Sequence, residues 1–466
     1  MSFALGVLPV VLLLLGFPIF IVLLASVSVA LVFFMHMPLA ALHQNMFGSV
    51  NAFALLAIPF FVYAGELMGR GSVAQRLVDF VQAGVGSVRG SLAVTTVGTS
   101  AIFGAISGVS AACVATIGRI MYPAMRRAGY PEHFSAGLVT AVGAISGISA
   151  ACVATIGRIM YPAMRRAGYP EHFAAGLVTA VGAIDIIIPP SIPMIVYGAT
   201  AEESVPRLYA AGVVPGLMLS LMLAVYVMWF ARRNGIGAGE GFKFDRFLHA
   251  TTRGIWALGM PFIILGGIYG GVFSPTEAAA VACVYAAFVT RFVFRELGWR
   301  DIVEAAAVTV MFTAQILIIV ACAGVFSWLL TVNQIPATIV AWLQSLNISA
   351  WMFLLTINVI LLAIGCFLDP LSAILLLTPL LVPLVKAFGI DTVHFGIIVT
   401  VNLAIGLFHP PFGMNIFVAQ SVLGLELRSI YRGIIPFLVI YLIALGLITY
   451  IPEISLGGMR LLLGLS

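Results

Sequence analysis

Ile188-Pro189-Pro190-Ser191-Ile192-Pro193 interrupts one long apolar run, and His409-Pro410-Pro411-Phe412-Gly413 interrupts another 221 residues further on. A helix cannot continue through either stretch, because each proline removes a backbone donor and its ring clashes with a carbonyl of the preceding turn. Laid without gaps, residues 168–215 fall over 389–436, matching Thr179 with Thr400, Ala183-Ile184 with Ala404-Ile405, both Pro-Pro pairs, and Gly212 with Gly433. Two diverged halves therefore share one design. Proline-interrupted segments at corresponding positions of two halves are the best sequence pointer to a midplane site in a secondary transporter.

The surrounding composition sets the solvent. The 466 residues are 62% hydrophobic and only 8% charged, with a mean hydropathy of +1.16, so the chain cannot present a solvated surface on all sides. Apolar runs recur from Leu5–Phe34 to Phe437–Ile451, each long enough to cross roughly 30 Å of hydrocarbon as helix. About eleven to thirteen such runs or half-runs can be counted. They lack the alternation of barrel strands, and backbone groups in lipid need internal partners, so the fold class is an all-α polytopic membrane protein. The first thirty residues have no charged leader and too long an apolar stretch for a secretory signal, and are expected to be the first span. Cys113, Cys152, Cys283, Cys322 and Cys366 all lie in apolar runs without metal-like spacing and are expected to be small core residues. The formal charge of +5 gathers in short loops, where it sets orientation and gives no reason to expect nucleic acid. Motifs for zinc hydrolysis, serine hydrolysis and phosphate loops are missing, so the chain is expected to be no enzyme and to need no cofactor.

The most basic hydrophilic stretch, 231–253, carries Arg232, Arg233, Lys243, Arg246 and Arg253 and is expected to be a cytoplasmic linker. It divides a first repeat, 1–230, from a second, 254–466. The loop at Pro162-Ala-Met-Arg165-Arg166 is strongly basic, whereas its counterpart at Pro383-Leu-Val-Lys386 is barely so. That asymmetry suits loops on opposite sides of the membrane, an inverted-topology repeat, with a parallel repeat as the alternative. Each half is expected to hold a re-entrant hairpin and a Pro-Pro-broken helix: a hairpin near 97–127 or its duplicate with a break near 171–200, then a hairpin near 351–386 with a break near 392–420. The tips fall at Ser107-Gly108-Val109-Ser110 and Gly365-Cys366-Phe367-Leu368-Asp369-Pro370. Unwinding at membrane depth frees carbonyls suited to a dehydrated cation, and leaves a half-helix amino end suited to an anion. An all-oxygen cage fits sodium better than a transition metal.

Four motifs complete the picture: Ile58-Pro-Phe-Phe-Val-Tyr-Ala-Gly-Glu-Leu-Met68, Ile188-Pro-Pro-Ser-Ile-Pro-Met194, Phe273-Ser-Pro-Thr-Glu-Ala-Ala-Ala280 and Asn402-Leu-Ala-Ile-Gly406. With them, nearly the whole chain resembles the large membrane (DctM-like) subunit of tripartite ATP-independent periplasmic (TRAP) transporters. The resemblance implies an elevator-type, sodium-driven importer of organic acids in the bacterial inner membrane. Its partners would be a small TRAP membrane subunit and a periplasmic substrate-binding protein. It also implies a first sodium site at Ser146, Ser149, Asp185, Ile188 and Pro189, and a second at Gly365, Gly406, His409 and Phe412. Candidate substrate-binding residues are Ser149, Pro190, Ser191, Asp369, Pro411 and Asn415. Asp185 stands where the family usually has glycine, and His409 where it usually has threonine. A buried carboxylate is costly unless an ion or proton accompanies it. His409 either makes the second site proton-sensitive or is a ring satisfied by backbone. The substrate is a C4-dicarboxylate, sugar acid or similar carboxylate. A stand-alone sodium/carboxylate symporter is the alternative reading, and a channel ranks below both.

Residues 107–145 recur almost verbatim as 146–184, differing only at Val109/Ile148 and Ser135/Ala174. Repeats this alike point to a recent tandem duplication or an assembly artefact. Only one tip can lie beside Pro189, and the second copy, joined directly to Asp185, is the one expected there. Among the remaining motifs, Ser274-Pro-Thr-Glu277 reads as a capping box, and the glycines from Gly266 to Gly271 as a close helix-packing surface. Glu66 and Arg70 near a span end are expected to snorkel to the interface.

Overall fold

The computed structural model describes residues 3–38, 40–86, 88–107, 147–236 and 242–464. Every regular element among them is helical. Six helices are long and apolar enough to cross a membrane: Val205–Arg233, Phe244–Tyr269, Pro275–Val293, Trp299–Val332, Pro370–Ala387 and Leu427–Tyr450. Among the described residues a further apolar pair, Ala40–Val50 and Phe53–Gly69, is bent by 64° and is either a broken span or a re-entrant loop. The other apolar segments are shorter helices, and the chain's unusual architecture lies in these. Outward-facing Leu221, Phe262, Val303 and Met311 are more than half exposed, as suits helices solvated by lipid.

Local chemistry explains where the helices start. At Ser274 the expected capping box forms: its hydroxyl accepts from the Glu277 N–H at 3.3 Å, and Glu277 accepts from the Ser274 N–H at 2.8 Å. Pro275 occupies the first helical turn, where a missing N–H costs nothing. Asp369 and Asp391 open their helices in the same fashion, accepting from Ser372 at 3.0 Å and from Val393 at 2.8 Å. The expected linker is helical at both ends, since one helix runs to Arg233 and the next begins at Phe244.

Two sequence expectations are corrected. Glu66 does not snorkel: it is completely buried and pairs with Arg70 at 2.8 Å, while Arg70 reaches on to Glu304 at 3.3 Å. A carboxylate without a long aliphatic stem cannot reach water from this buried last turn, so it takes the guanidinium one turn along. Nor do Gly266 to Gly271 seat another helix among the described residues. Gly266 and Gly271 have no neighbouring atom within 4 Å of a built Cβ, and Gly267 faces Phe273 of its own turn.

The two broken helices lie antiparallel. The first runs through Glu171–Val181 and Ile192–Ala201, the second through Thr392–Gly406 and Met414–Leu423. Where the first ends, the Tyr197 hydroxyl donates to the Thr392 carbonyl at 2.7 Å and the Thr392 hydroxyl reaches Glu203. Where the first begins, the Ser429 hydroxyl donates to Glu171 at 3.2 Å. Between these ends Gly176 and Gly433 bring two helices into backbone contact, with no room for a Cβ on either. Phe173 beside that crossing stacks on Phe230 at 3.7 Å and tilts against Phe437 at 5.6 Å.

Candidate functional site

At each break the prolines decide which carbonyls lose their helical donors. Pro189 removes the partner of the Asp185 carbonyl and Pro190 that of Ile186; Pro410 and Pro411 do the same to Gly406 and Leu407. One carbonyl of each pair is recovered locally. The Ser191 hydroxyl donates to the Ile186 carbonyl at 2.6 Å, and the Asn415 N–H donates to the Leu407 carbonyl at 2.8 Å. The other member of each pair, Asp185 or Gly406, occupies the same position in the two halves, 221 residues apart. Both Pro-Pro bonds are cis. Thr179 and Thr400, also equivalent, each bond back one turn, to Ala175 at 2.7 Å and Gly396 at 2.8 Å.

A hairpin limb meets each of these positions. The second hairpin comprises Ala350–Gly365 and Pro370–Ala387, and a Cβ built on Gly406 would lie 2.5 Å from the Gly365 carbonyl oxygen. In the first half residues 108–146, and with them part of the expected tip, lie outside the described residues; the helices on either side are Ser91–Ser107 and Gly147–Arg166, and a Cβ built on Gly104 would lie 2.5 Å from the Asp185 Cα. Only bare backbone allows approaches this close. The helix from the second sequence copy, Gly147–Arg166, packs against Ser91–Ser107, Glu171–Val181 and Met414–Leu423.

Asp185 is 2% exposed, and neither carboxylate oxygen has a hydrogen-bond partner among the described residues. Ile188 lies against Gly216, and Pro189, Pro190 and Ser191 are buried beside it. At the second break the His409 Nδ1 is 3.0 Å from the Cys366 Sγ, and the Phe367 and Phe412 rings lie 5.3 Å apart, joining tip to break. Pro411 is exposed, and its carbonyl accepts from the Tyr431 hydroxyl at 2.9 Å. Asp369 is buried at the tip as a helix cap. Asn415 joins the two breaks, its side-chain amide donating to the Thr179 carbonyl at 3.2 Å. Ser146 lies outside the described residues, and Ser149 is placed only as backbone early in Gly147–Arg166.

Sequence reasoning passed over a buried polar chain behind the second break. Asn402 donates to the Asn358 side-chain oxygen at 2.7 Å, Asn358 donates to the Thr449 hydroxyl at 3.0 Å, and His394 contacts Ser455 at 2.7 Å. Asn358 and Asn402 inside apolar runs were the available signal, because an amide in lipid requires a partner.

An all-helical apolar fold in which two hairpins meet two proline-broken helices defines a polytopic membrane transporter. The chain matches the family model described as tripartite ATP-independent periplasmic transporter, DctM component, over residues 6–143 and 139–454. Those two segments between them take in both copies of the duplication. It is 40% identical over 413 residues to the C4-dicarboxylate TRAP transporter large permease protein DctM of Pseudomonas aeruginosa, covering 89% of this chain and 88% of that one. It is 34% identical over 448 residues to the ectoine TRAP transporter large permease protein TeaC of Halomonas elongata, covering 96% of each. The solved structure of the YdaH transporter of Alcanivorax borkumensis shares the fold, with a TM-score of 0.54, 14% identity, and 88% and 86% of the two chains covered. Neisseria gonorrhoeae MtrF does so with a TM-score of 0.55 at 12% identity, covering 88% and 83%. The chain belongs to the DctM family of TRAP transporter large permeases. It is a transport protein, not an enzyme.

Proposed function

We propose that this chain is the inner-membrane permease through which an organic acid, delivered by a periplasmic binding protein, enters the cell together with sodium. A small TRAP membrane subunit completes the assembly in this reading. The observation that carries it is the pair of equivalent tip-to-break junctions, Gly104 on Asp185 and Gly365 on Gly406. At each, a carbonyl deprived of its helical donor lies at the foot of a half-helix whose amino end carries partial positive charge. The carbonyls and the Asp185 carboxylate offer hard oxygen ligands to sodium, and the half-helices beginning at Ile192 and Met414 offer N–H groups to a carboxylate.

Asp185, Ile188 and Pro189, with Ser146 and Ser149 from the tip, form the proposed first ion site. Gly365, Gly406, His409 and Phe412 form the second. The substrate lies between them, near Pro190, Ser191, Asp369, Pro411 and Asn415. Names of relatives range from C4-dicarboxylate and isethionate to ectoine and 2,3-diketo-L-gulonate, so the proposal stops at an organic acid of modest size. The two repeats, 1–230 and 254–466, are of inverted topology in this reading, and the antiparallel broken helices support it.

Uptake of a C4-dicarboxylate into proteoliposomes holding this chain and its small subunit tests the proposal. Uptake is expected only with an inward sodium gradient and the binding protein present. Undiminished uptake in choline defeats the sodium reading, and full uptake without the binding protein favours a stand-alone carrier.

A further inference from the structure

A second concave site lies away from both breaks. A cavity of about 600 Å³ opens between the short helix Val73–Val85 and the first turns of Phe244–Tyr269, bounded by Ser72, Arg76, Asp79, Arg246, His249 and Arg253. The short helix turns Leu77 and Val78 inward, leaving Gln75 and Asp79 on the cavity side, where the Gln75 amide donates to Asp79 at 2.8 Å. Across from them Arg246, His249 and Arg253 follow at helical spacing and share one face. Arg76 lies between the walls. Its Nε donates to the Ser72 hydroxyl at 2.8 Å, one terminal nitrogen lies 3.3 Å from Glu296, and the other donates to the Arg253 carbonyl at 3.4 Å. The Arg253 guanidinium and the His249 ring make no hydrogen bond or ion pair among the described residues.

Three arginines thus ring one cavity; Glu296 nearby is engaged by Ser72 and Arg76, and Asp79 in the cavity wall holds an amide. Along the chain, Phe242 and Phe244 precede Arg246 and Trp256 follows Arg253, and these aromatics are 54%, 65% and 41% exposed. Exposed aromatics next to arginines mark the headgroup layer of a bilayer. Guanidinium forks match tetrahedral oxyanions better than any other side chain. A basic pocket between helices at this level is the kind of place where phospholipid headgroups dock.

We propose that this cavity binds a phosphate group, that of an anionic phospholipid from the leaflet facing the basic loops, or inorganic phosphate through the same contacts. An occupant would brace the joint at Ser72, where the bent helix pair ending at Gly69 hands over to Val73–Val85. The assignment is independent of the coupling ion and of the transported acid.

Native mass spectrometry of the delipidated chain, re-exposed to phosphatidylglycerol or phosphatidylcholine, reads retention directly. Phosphatidylglycerol is expected to be retained over phosphatidylcholine, and Arg246→Gln/Arg253→Gln to lose that preference by roughly tenfold. A second arm omits lipid and follows Tm with added inorganic phosphate. A phosphate-dependent rise without any lipid preference, lost in the double variant, assigns the cavity to the soluble ion. Equal retention of both lipids by the wild-type chain together with no phosphate-dependent rise overturns the proposal, and so does either response persisting in the double variant. The wild-type arms need no substitution, so poor folding of the variant still leaves an answer.

Discussion

Gly104 approaches Asp185 so closely that a Cβ on the glycine would lie 2.5 Å from the aspartate Cα, and 221 residues beyond Asp185, Gly406 meets Gly365 in the same way. Gly104→Ala and Gly406→Ala are each expected to push a hairpin off its break. The overpacking costs about 1–3 kcal/mol and the initial uptake rate should fall by roughly tenfold. Gly446→Ala, inside a helix with no atom within 4 Å of the new Cβ, is the matched control and should lower neither rate nor Tm.

Asp185 carries two buried carboxylate oxygens with no donor among the described residues. Asp185→Asn keeps the shape and removes the charge. If the carboxylate is a sodium ligand, the sodium concentration giving half-maximal uptake should rise about tenfold, a change of about 1.4 kcal/mol. An unchanged sodium titration with normal uptake removes Asp185 from the ion site.

Glu66 and Arg70 test the buried ion pair where Phe53–Gly69 ends. Arg70→Met takes the guanidinium away from a carboxylate that is completely buried, and should lower stability by about 3 kcal/mol or more. Glu66→Met together with Arg70→Met removes the buried charge as well and should recover most of that loss in thermal unfolding. A double variant no better than the single would show that packing, not charge, governs this end.

Glu296 lies in the short loop between two spans, where partial burial pushes its carboxyl up but donors from Ser72 and Arg76 outweigh that and hold it below the usual range. Its contribution is therefore complete above the ordinary carboxylate pKa and is lost as pH falls through the depressed value. Glu296→Gln should lower Tm at neutral pH, and the gap from wild type should close in acid. A gap independent of pH would assign the effect to lost shape.

Deleting residues 107–145 leaves Ile106 joined to Ser146 and a single copy of the repeated segment. Because Gly147–Arg166 and Glu171–Val181 already supply the limb and broken helix packed in the site, the shortened chain should fold and transport at least as well. Loss of membrane expression on deletion would give the extra copy a structural role.

The two breaks were legible because proline's missing donor acts in any context, and the offset that matches Thr179 with Thr400 and Ala183-Ile184 with Ala404-Ile405 also sets Asp185 opposite Gly406. Which glycine meets each was not legible on the first half, since Gly104 lies among several small residues of one helix and periodicity alone does not say which faces Asp185. Ser191 and Asn415 illustrate a second limit. Both stand at half-helix starts, as ligand candidates should, yet each also repairs a carbonyl left by a neighbouring proline, and only geometry reveals that duty. Glu66 was misjudged because the guanidinium that takes it up, Arg70, is itself met by Glu304, which is distant in sequence.

The contact of Gly176 with Gly433 leaves two main chains touching, with no cushion of rotamers to absorb slip or spreading. The first broken helix, Glu171–Val181, is thereby held at a fixed gauge from Leu427–Tyr450. If the transported acid lies at the breaks as proposed, admitting a bulkier one would mean rebuilding that gauge, and softening the loops around it would not suffice.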